Sequence, residues 1–196
     1  GGVPRGRIAE LCGDRSSGKT SLAMRLMAHA LLGDGLVAYI DPTNTFHPPT
    51  AVAAGVHLPS LLLIRPRTAA QALEAVATLL QSEGFDMIVH DLAGGTTSPD
   101  TSSVAKLAAL ASKTRTLLLF LTTPSQRRAD WGGPESRPSP LGFFSTLRLL
   151  VKRTEGVWYG APSPPTGAPS PLTPLPTLGE GREQTPPSTG APSSPA

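Results

Sequence analysis

GDRSSGKT, Gly13 to Thr20, is the stretch on which the reading of the whole chain depends. Its spacing, a glycine, four residues, then Gly-Lys-Thr, is that of a loop whose backbone N–H groups cradle phosphate oxygens. Lys19 then has the reach for the β and γ phosphates, and the Thr20 hydroxyl is a ligand for Mg²⁺. The flanks agree with this. Arg7 to Cys12 (RIAELC) reads as a short strand feeding the loop, and Ser21 to Leu32 (SLAMRLMAHALL) is strongly helix-forming. Strand, loop and helix in that order put bound phosphate at a helix N-terminus. The expected nucleotide-binding residues are therefore Gly13, Asp14, Arg15, Ser16, Ser17, Gly18, Lys19, Thr20 and Ser21, with Lys19 also catalytic.

Outward from the loop, strands and helices alternate. After a turn at Gly33-Asp34-Gly35, Leu36 to Asp41 (LVAYID) is an apolar run ending in an acid, as a buried parallel strand does. A short helix is expected around Thr50 to Ala54, a third strand over Leu61 to Arg65, and a helix over Thr68 to Glu83 that stops at Gly84. Asp86 to Asp91 (DMIVHD) is the fourth strand, Ser102 to Lys113 a helix, Thr116 to Thr122 the fifth strand, and Phe143 to Arg153 a further strand. The alternation predicts an α/β fold: a mostly parallel sheet flanked by helices on both faces. Asp91, at the end of the fourth strand, is the expected second metal residue beside Thr20, and a catalytic one. His90 precedes it, and strand alternation turns it to the opposite face.

Composition divides the chain. Of 22 prolines, half lie from Gly160 onward, where GAPS recurs at Gly160, Gly167 and Gly190. Such sequence has too little apolar area to build a core, so the expected domain is 1–159 and the expected disordered tail 160–196. A net charge of +3 is too mild to identify a nucleic-acid partner by itself. Arg127, Arg128 and Arg137 fall in one loop, with Arg148, Lys152 and Arg153 soon after, which makes either a local basic face or an ordinary solvated one. The single cysteine, Cys12, excludes an internal disulfide, suits a reducing cytoplasmic setting and reads as a small buried hydrophobe. No apolar run approaches the length of a membrane span. Opening on Gly1-Gly2 without an initiator Met, the chain reads as a fragment or a trimmed start.

Gly1 to Thr20 (GGVPRGRIAELCGDRSSGKT) resembles the opening of the RecA recombinase core, and the likeness continues through YIDPTNTFHP, AAGVHLPSLLLIRP, ALEA, DMIVHDL and PLGFFSTLRLLVKR. The resemblance implies a RecA-like P-loop NTPase of DNA recombination and repair. It also implies ATP and Mg²⁺ as cofactors, single-stranded DNA or DNA-repair proteins as partners, and ATP sites that lie between subunits of a homo-oligomer. DNA contacts would fall to Arg127, Arg128 and Arg137. The departures are equally specific. Thr43 stands where the family carries its catalytic Glu, and Thr123 where it carries the Gln that senses the γ-phosphate. A hydroxyl is a poor general base, so both changes weaken the expectation of hydrolysis. The first DNA-binding loop, after Asp91, looks contracted and the loop Pro124 to Pro140 shortened. The family's N-terminal helical arm and C-terminal domain are expected to be absent, and its cations that reach a neighbour's ATP to fall past the onset of the Pro-rich stretch. Two readings stay open: a RecA-like ATPase, or a weakly hydrolysing ATP-binding adaptor similar to the shortened ImuA proteins that accompany translesion polymerases. A P-loop switch of the KaiC kind is a weaker third. Trp131 would either stack on a base or anchor its loop.

Overall fold

A computed structural model describes residues 2–93, 99–123 and 140–153. In chain order they form β1 (Ile8–Cys12), α1 (Lys19–Ala30), β2 (Val37–Ile40), α2 (Pro48–Ala53), a 3₁₀ turn (Leu58–Ser60), β3 (Leu61–Ile64), α3 (Ala69–Gln81), β4 (Met87–Asp91), α4 (Thr101–Ala111), β5 (Leu117–Thr122), α5 (Pro140–Phe144) and β6 (Ser145–Leu150). The chain divides into a compact unit, Gly1–Glu155, and a second unit, Gly156–Ala196, which lies outside the described residues. The expected tail, the arginines 127, 128 and 137, and Trp131 also lie outside them.

The six strands form one sheet in the order β3-β2-β4-β5-β1-β6, every neighbouring pair parallel. Strand alternation sorts the side chains into two cores. On one face Ala9, Leu11, Val37, Tyr39, Val89, Leu119 and Leu121 pack against Ala23, Met24 and Met27 of α1 and Ala51 of α2. On the other, Ile8, Ala38, Ile40, Ile88, Leu118 and Phe120 pack against α3 and α4 through Ala72, Val76, Leu80, Val104 and Leu107, and against Leu141 of α5. Each large side chain taken fully out of water contributes about 1.5–3 kcal/mol. Burial on both faces is why the central strands read as unbroken apolar runs rather than as alternating ones.

Helix ends follow local chemistry. The Thr68 hydroxyl accepts from the Gln71 N–H at 3.2 Å and starts α3. The Asp100 carboxylate accepts from the Ser103 N–H at 2.9 Å and from the Ser102 and Ser103 hydroxyls, which hold its pKa below the usual carboxylate range and start α4.

One expected boundary is corrected. Phe143 and Phe144 do not open the last strand; Pro140–Phe144 is a short helix, α5, and β6 begins at Ser145. Pro140 sits at the first helical position, where its missing N–H costs nothing, and Leu141 turns into the α3/α4 core. Arg148 is corrected too. It belongs to no exposed basic face, because its Nε donates to buried Glu10 of β1 at 2.6 Å, and the Thr122 hydroxyl donates to the other Glu10 oxygen at 2.7 Å.

Candidate functional site

The loop after β1 is shaped by space at one end and by dihedral angle at the other. Gly13 N–H donates to the Thr122 carbonyl, carrying the sheet one residue past β1. A Cβ on Gly13 would lie 2.4 Å from Ser17 Oγ and 2.5 Å from the Val151 carbonyl oxygen, so no larger residue fits there. Ser16 (φ 60°) and Gly18 (φ 96°) take left-handed conformations, of the kind that recurs where successive N–H groups line an anion-binding concavity. The α1 helix then starts at Lys19 with no side-chain cap, unlike α3 and α4, and with no acid in its first turn. Its first N–H groups carry the positive end of the helix dipole and are left for an anion. Ser17 Oγ is buried and, among the described residues, has no hydrogen-bond partner.

Lys19 is 5% exposed and donates from Nζ to the Asp14 carbonyl at 3.1 Å. Burial lowers its pKa from the ordinary lysine value, and the nearby charge of Asp91 works against that shift. Thr20 is half-buried one residue on, while Asp14, Arg15, Ser16 and Ser21 are exposed. Asp91 closes β4 on the α1 face and is 3% exposed. Its Oδ2 accepts from the Tyr39 hydroxyl at 2.7 Å and its Oδ1 from the Ala93 N–H at 2.9 Å. Burial, then the Asp91 charge, pushes the Tyr39 pKa far above its ordinary value, so this hydroxyl remains a donor. Phe46 packs on the Tyr39 ring with centroids 4.8 Å apart. Phe46 is itself held by Asp41, fully buried, whose carboxylate accepts from the N–H groups of Thr45 (2.9 Å) and Phe46 (3.0 Å).

That Asp41-centred turn carries Thr43, whose hydroxyl lies 3.1 Å from that of Thr45. Thr123 donates to the Ala93 carbonyl at 3.0 Å, tying the end of β5 to the residue that steadies Asp91. His90 faces the opposite core, 5.5 Å from the Phe120 ring. Among the described residues neither of its ring nitrogens has a hydrogen-bond partner, and burial pushes its pKa down to about 4. It borders a cavity of about 580 Å³ that also touches Thr43, Arg67 and Asp100.

The structure thus brings Gly13 to Ser21 and Asp91 to one end of the sheet, on the α1 side. Tyr39 was not foreseen; a tyrosine inside a buried strand needs a partner for its hydroxyl, and that need was the available signal. For Lys152 and Arg153 the sequence left a basic face and an ordinary solvated surface both open. They line a cavity of about 330 Å³ at the loop together with Asp14, Arg15, Ser16 and Ser17. Among the described residues no group of three or more His, Cys, Asp or Glu could hold a metal ion, and no helix is long and apolar enough to cross a membrane.

Comparison with known proteins yields one family. Residues 1–101 match the RecA N-terminal domain, just over half of the 196 residues. Protein RecA of Acholeplasma laidlawii is 34% identical over 182 residues, covering 82% of this chain and 55% of that protein. Protein RecA of Lactobacillus johnsonii is 33% identical over 182 residues (82% and 51%), and that of Chloroflexus aurantiacus 33% over 181 residues (82% and 52%). The chain spans about half the length of the curated relatives it matches. The matched domain contains β1, the Gly13–Thr20 loop, β4 and Asp91, and the all-parallel α/β sheet is the architecture expected from that likeness; the chain belongs to the RecA family.

Proposed function

We propose that this chain is a RecA-like ATP-binding protein of DNA recombination and repair, with its nucleotide site at Gly13 to Ser21. The observation that carries the reading is the uncapped N-terminus of α1 behind a loop bent by Ser16 and Gly18, with buried Lys19 folded against it. The residues present suit ATP and Mg²⁺. The orphaned Ser17 hydroxyl lies in the phosphate cradle, and one hydroxyl, Thr20, plus one carboxylate, Asp91, is the sparse donor set that Mg²⁺ takes when phosphates and waters complete its shell. Bound Mg·ATP supplies the phosphoanhydride bond and the neutralising charge on it.

The protein's part is positioning. Backbone N–H groups of the loop hold the β phosphate, and Lys19 exchanges its Asp14 carbonyl for phosphate oxygens. Asp91, fixed by Tyr39 and Ala93, keeps a lone pair for the metal or its water. Residues 1–159 are the ATP-binding domain in this reading, and 160–196 a tail that adds little stability; a chain cut after Tyr159 should melt at an unchanged temperature. Single-stranded DNA would be held by Arg127, Arg128 and Arg137.

Thr43 favours a second reading, the weakly hydrolysing adaptor. Its hydroxyl is paired with that of Thr45 in a turn organised by Asp41, and it offers no carboxylate to activate water. One experiment tests binding and separates the two. ATP with Mg²⁺ at a hundred times its Kd should stabilise the wild type by about 2.7 kcal/mol, a melting shift of roughly 5–10 °C. Lys19→Ala should remove most of the shift, and an equal shift in that variant overturns the site. Turnover measured with and without single-stranded DNA then distinguishes ATPase from adaptor.

A further inference from the structure

We infer that Lys152 and Arg153 belong to the phosphate site itself and contact the terminal phosphate of a nucleoside triphosphate held by the loop of the same chain. This deepens the nucleotide-site reading and rests on it. The segment after β6 is fastened to the loop by backbone alone. Val151 N–H donates to the Cys12 carbonyl at 2.7 Å, and the Val151 carbonyl oxygen lies against Gly13 so closely that a Cβ there would sit 2.5 Å from it. Because β6 runs parallel to β1, with Leu150 opposite Cys12, both strands release their chains at the same edge of the sheet and on the same level. The two residues that follow Val151 therefore emerge beside Asp14 to Ser17, and with Arg15 they line the cavity of about 330 Å³ there.

Charge and position agree on what that cavity would take. Lys152 and Arg153 are exposed and, among the described residues, neither is in an ion pair. Arg15 adds a cation to the lining, Lys19 lies against the Asp14 carbonyl, and among the described residues Asp14 is the one carboxylate lining the cavity. Lys19 already points to the Asp14 carbonyl, and this lysine is the group that reaches the β and γ phosphates, so the Asp14 half of the loop marks the terminal-phosphate end. A guanidinium and an ammonium at that end match the extra charge that a triphosphate has over a diphosphate. The consequence is a preference for the triphosphate set by the strap after β6, without a second subunit.

The test is calorimetric binding of Mg·ATP and Mg·ADP to the full chain, comparing wild type, Lys152→Ala/Arg153→Ala, the charge-keeping Lys152→Arg/Arg153→Lys, and Lys19→Ala. The double alanine variant should bind ATP about tenfold or more weakly and ADP within about threefold of wild type, as expected for lost charge-assisted contacts to one phosphate. The charge-keeping variant should retain most of the ATP preference. Both sites are exposed, and circular dichroism checks that the alanine variant is folded. If wild type binds both nucleotides, Lys19→Ala loses both, and the double alanine variant keeps the wild-type ATP:ADP ratio, this inference is overturned while the loop reading stands. If wild type binds neither nucleotide, both fall.

Discussion

Lowering the pH from 7 to 4 should cost the fold about 3 kcal/mol through one side chain, His90. Its imidazole is 1% exposed, lies over the Phe120 ring, and has no partner among the described residues for either nitrogen. Burial lowers its pKa from 6.5 to about 4, a difference that converts to about 3 kcal/mol. The sign follows from which state holds the proton. Between about pH 6.5 and 4 the unfolded chain binds it and the folded one does not, so acid favours unfolding across that window and the loss is complete below it. Asp100 borders the same cavity, but its hydrogen bonds hold its pKa below the usual carboxylate range, so its contribution disappears only at lower pH. Urea denaturation at pH 7, 5.5 and 4.2, on wild type and His90→Leu, isolates the term. His90→Leu should match or exceed wild-type stability at pH 7, since two unsatisfied buried nitrogens cost about 1–3 kcal/mol and leucine has none. It should then lose far less than wild type on acidification. Identical pH dependence in the two proteins would show that the burial cost of the imidazolium is not the cause.

Three further outcomes are expected. Arg148→Ala should destabilise the fold by about 3 kcal/mol in chemical denaturation, near the low end for a broken buried pair because Arg148 keeps some exposure while Glu10 has almost none; a loss under about 0.5 kcal/mol would mean the pair does not hold β6. Thr43→Glu should raise steady-state ATP turnover by about 10²-fold with ATP affinity little changed, since it restores a carboxylate to a position whose hydroxyl now pairs with that of Thr45; unchanged turnover would remove Thr43 from any account of hydrolysis. Neutralising Arg127, Arg128 and Arg137 together should lower the slope of log K against log salt for single-stranded DNA by about 2; a salt dependence equal to wild type would place the DNA contacts elsewhere.

The arrangement around the loop was largely legible in the sequence because its signals are local. GDRSSGKT needs only its own glycines and the strand and helix beside it, and Asp91 after Met87 to His90 needs only strand alternation to part from His90. The short helix α5 was not legible in the same way. LGFF after Pro140 is a short apolar run, and such a run fits a strand or a buried helix turn equally well until its packing is known. Contacts that cross the sheet were out of reach for a different reason. Tyr39 meets Asp91 because β2 lies beside β4, and Glu10 meets Arg148 because β1 lies beside β6. Those adjacencies follow from strand order, which no window of sequence contains. Arg148 therefore looked like one more surface cation.

The strand order also sets a timetable for synthesis. β1 leaves a ribosome well before both of its neighbours in the sheet, β5 and β6: Ile8 waits for Leu118 on one side and Ser145 on the other. At roughly 5–20 residues per second, the interval before β5 arrives is about 5–20 s. During it, β2, β3, α3 and β4 have the partners to assemble among themselves, while β1 has both edges unpaired. The loop at Gly13 takes its final anchors from Thr122 and Val151, so it acquires its shape last. Nucleotide binding by a nascent chain would therefore mark completed folding of the sheet, and a ribosome stalled before β5 would display an apolar strand with no ligand to protect it.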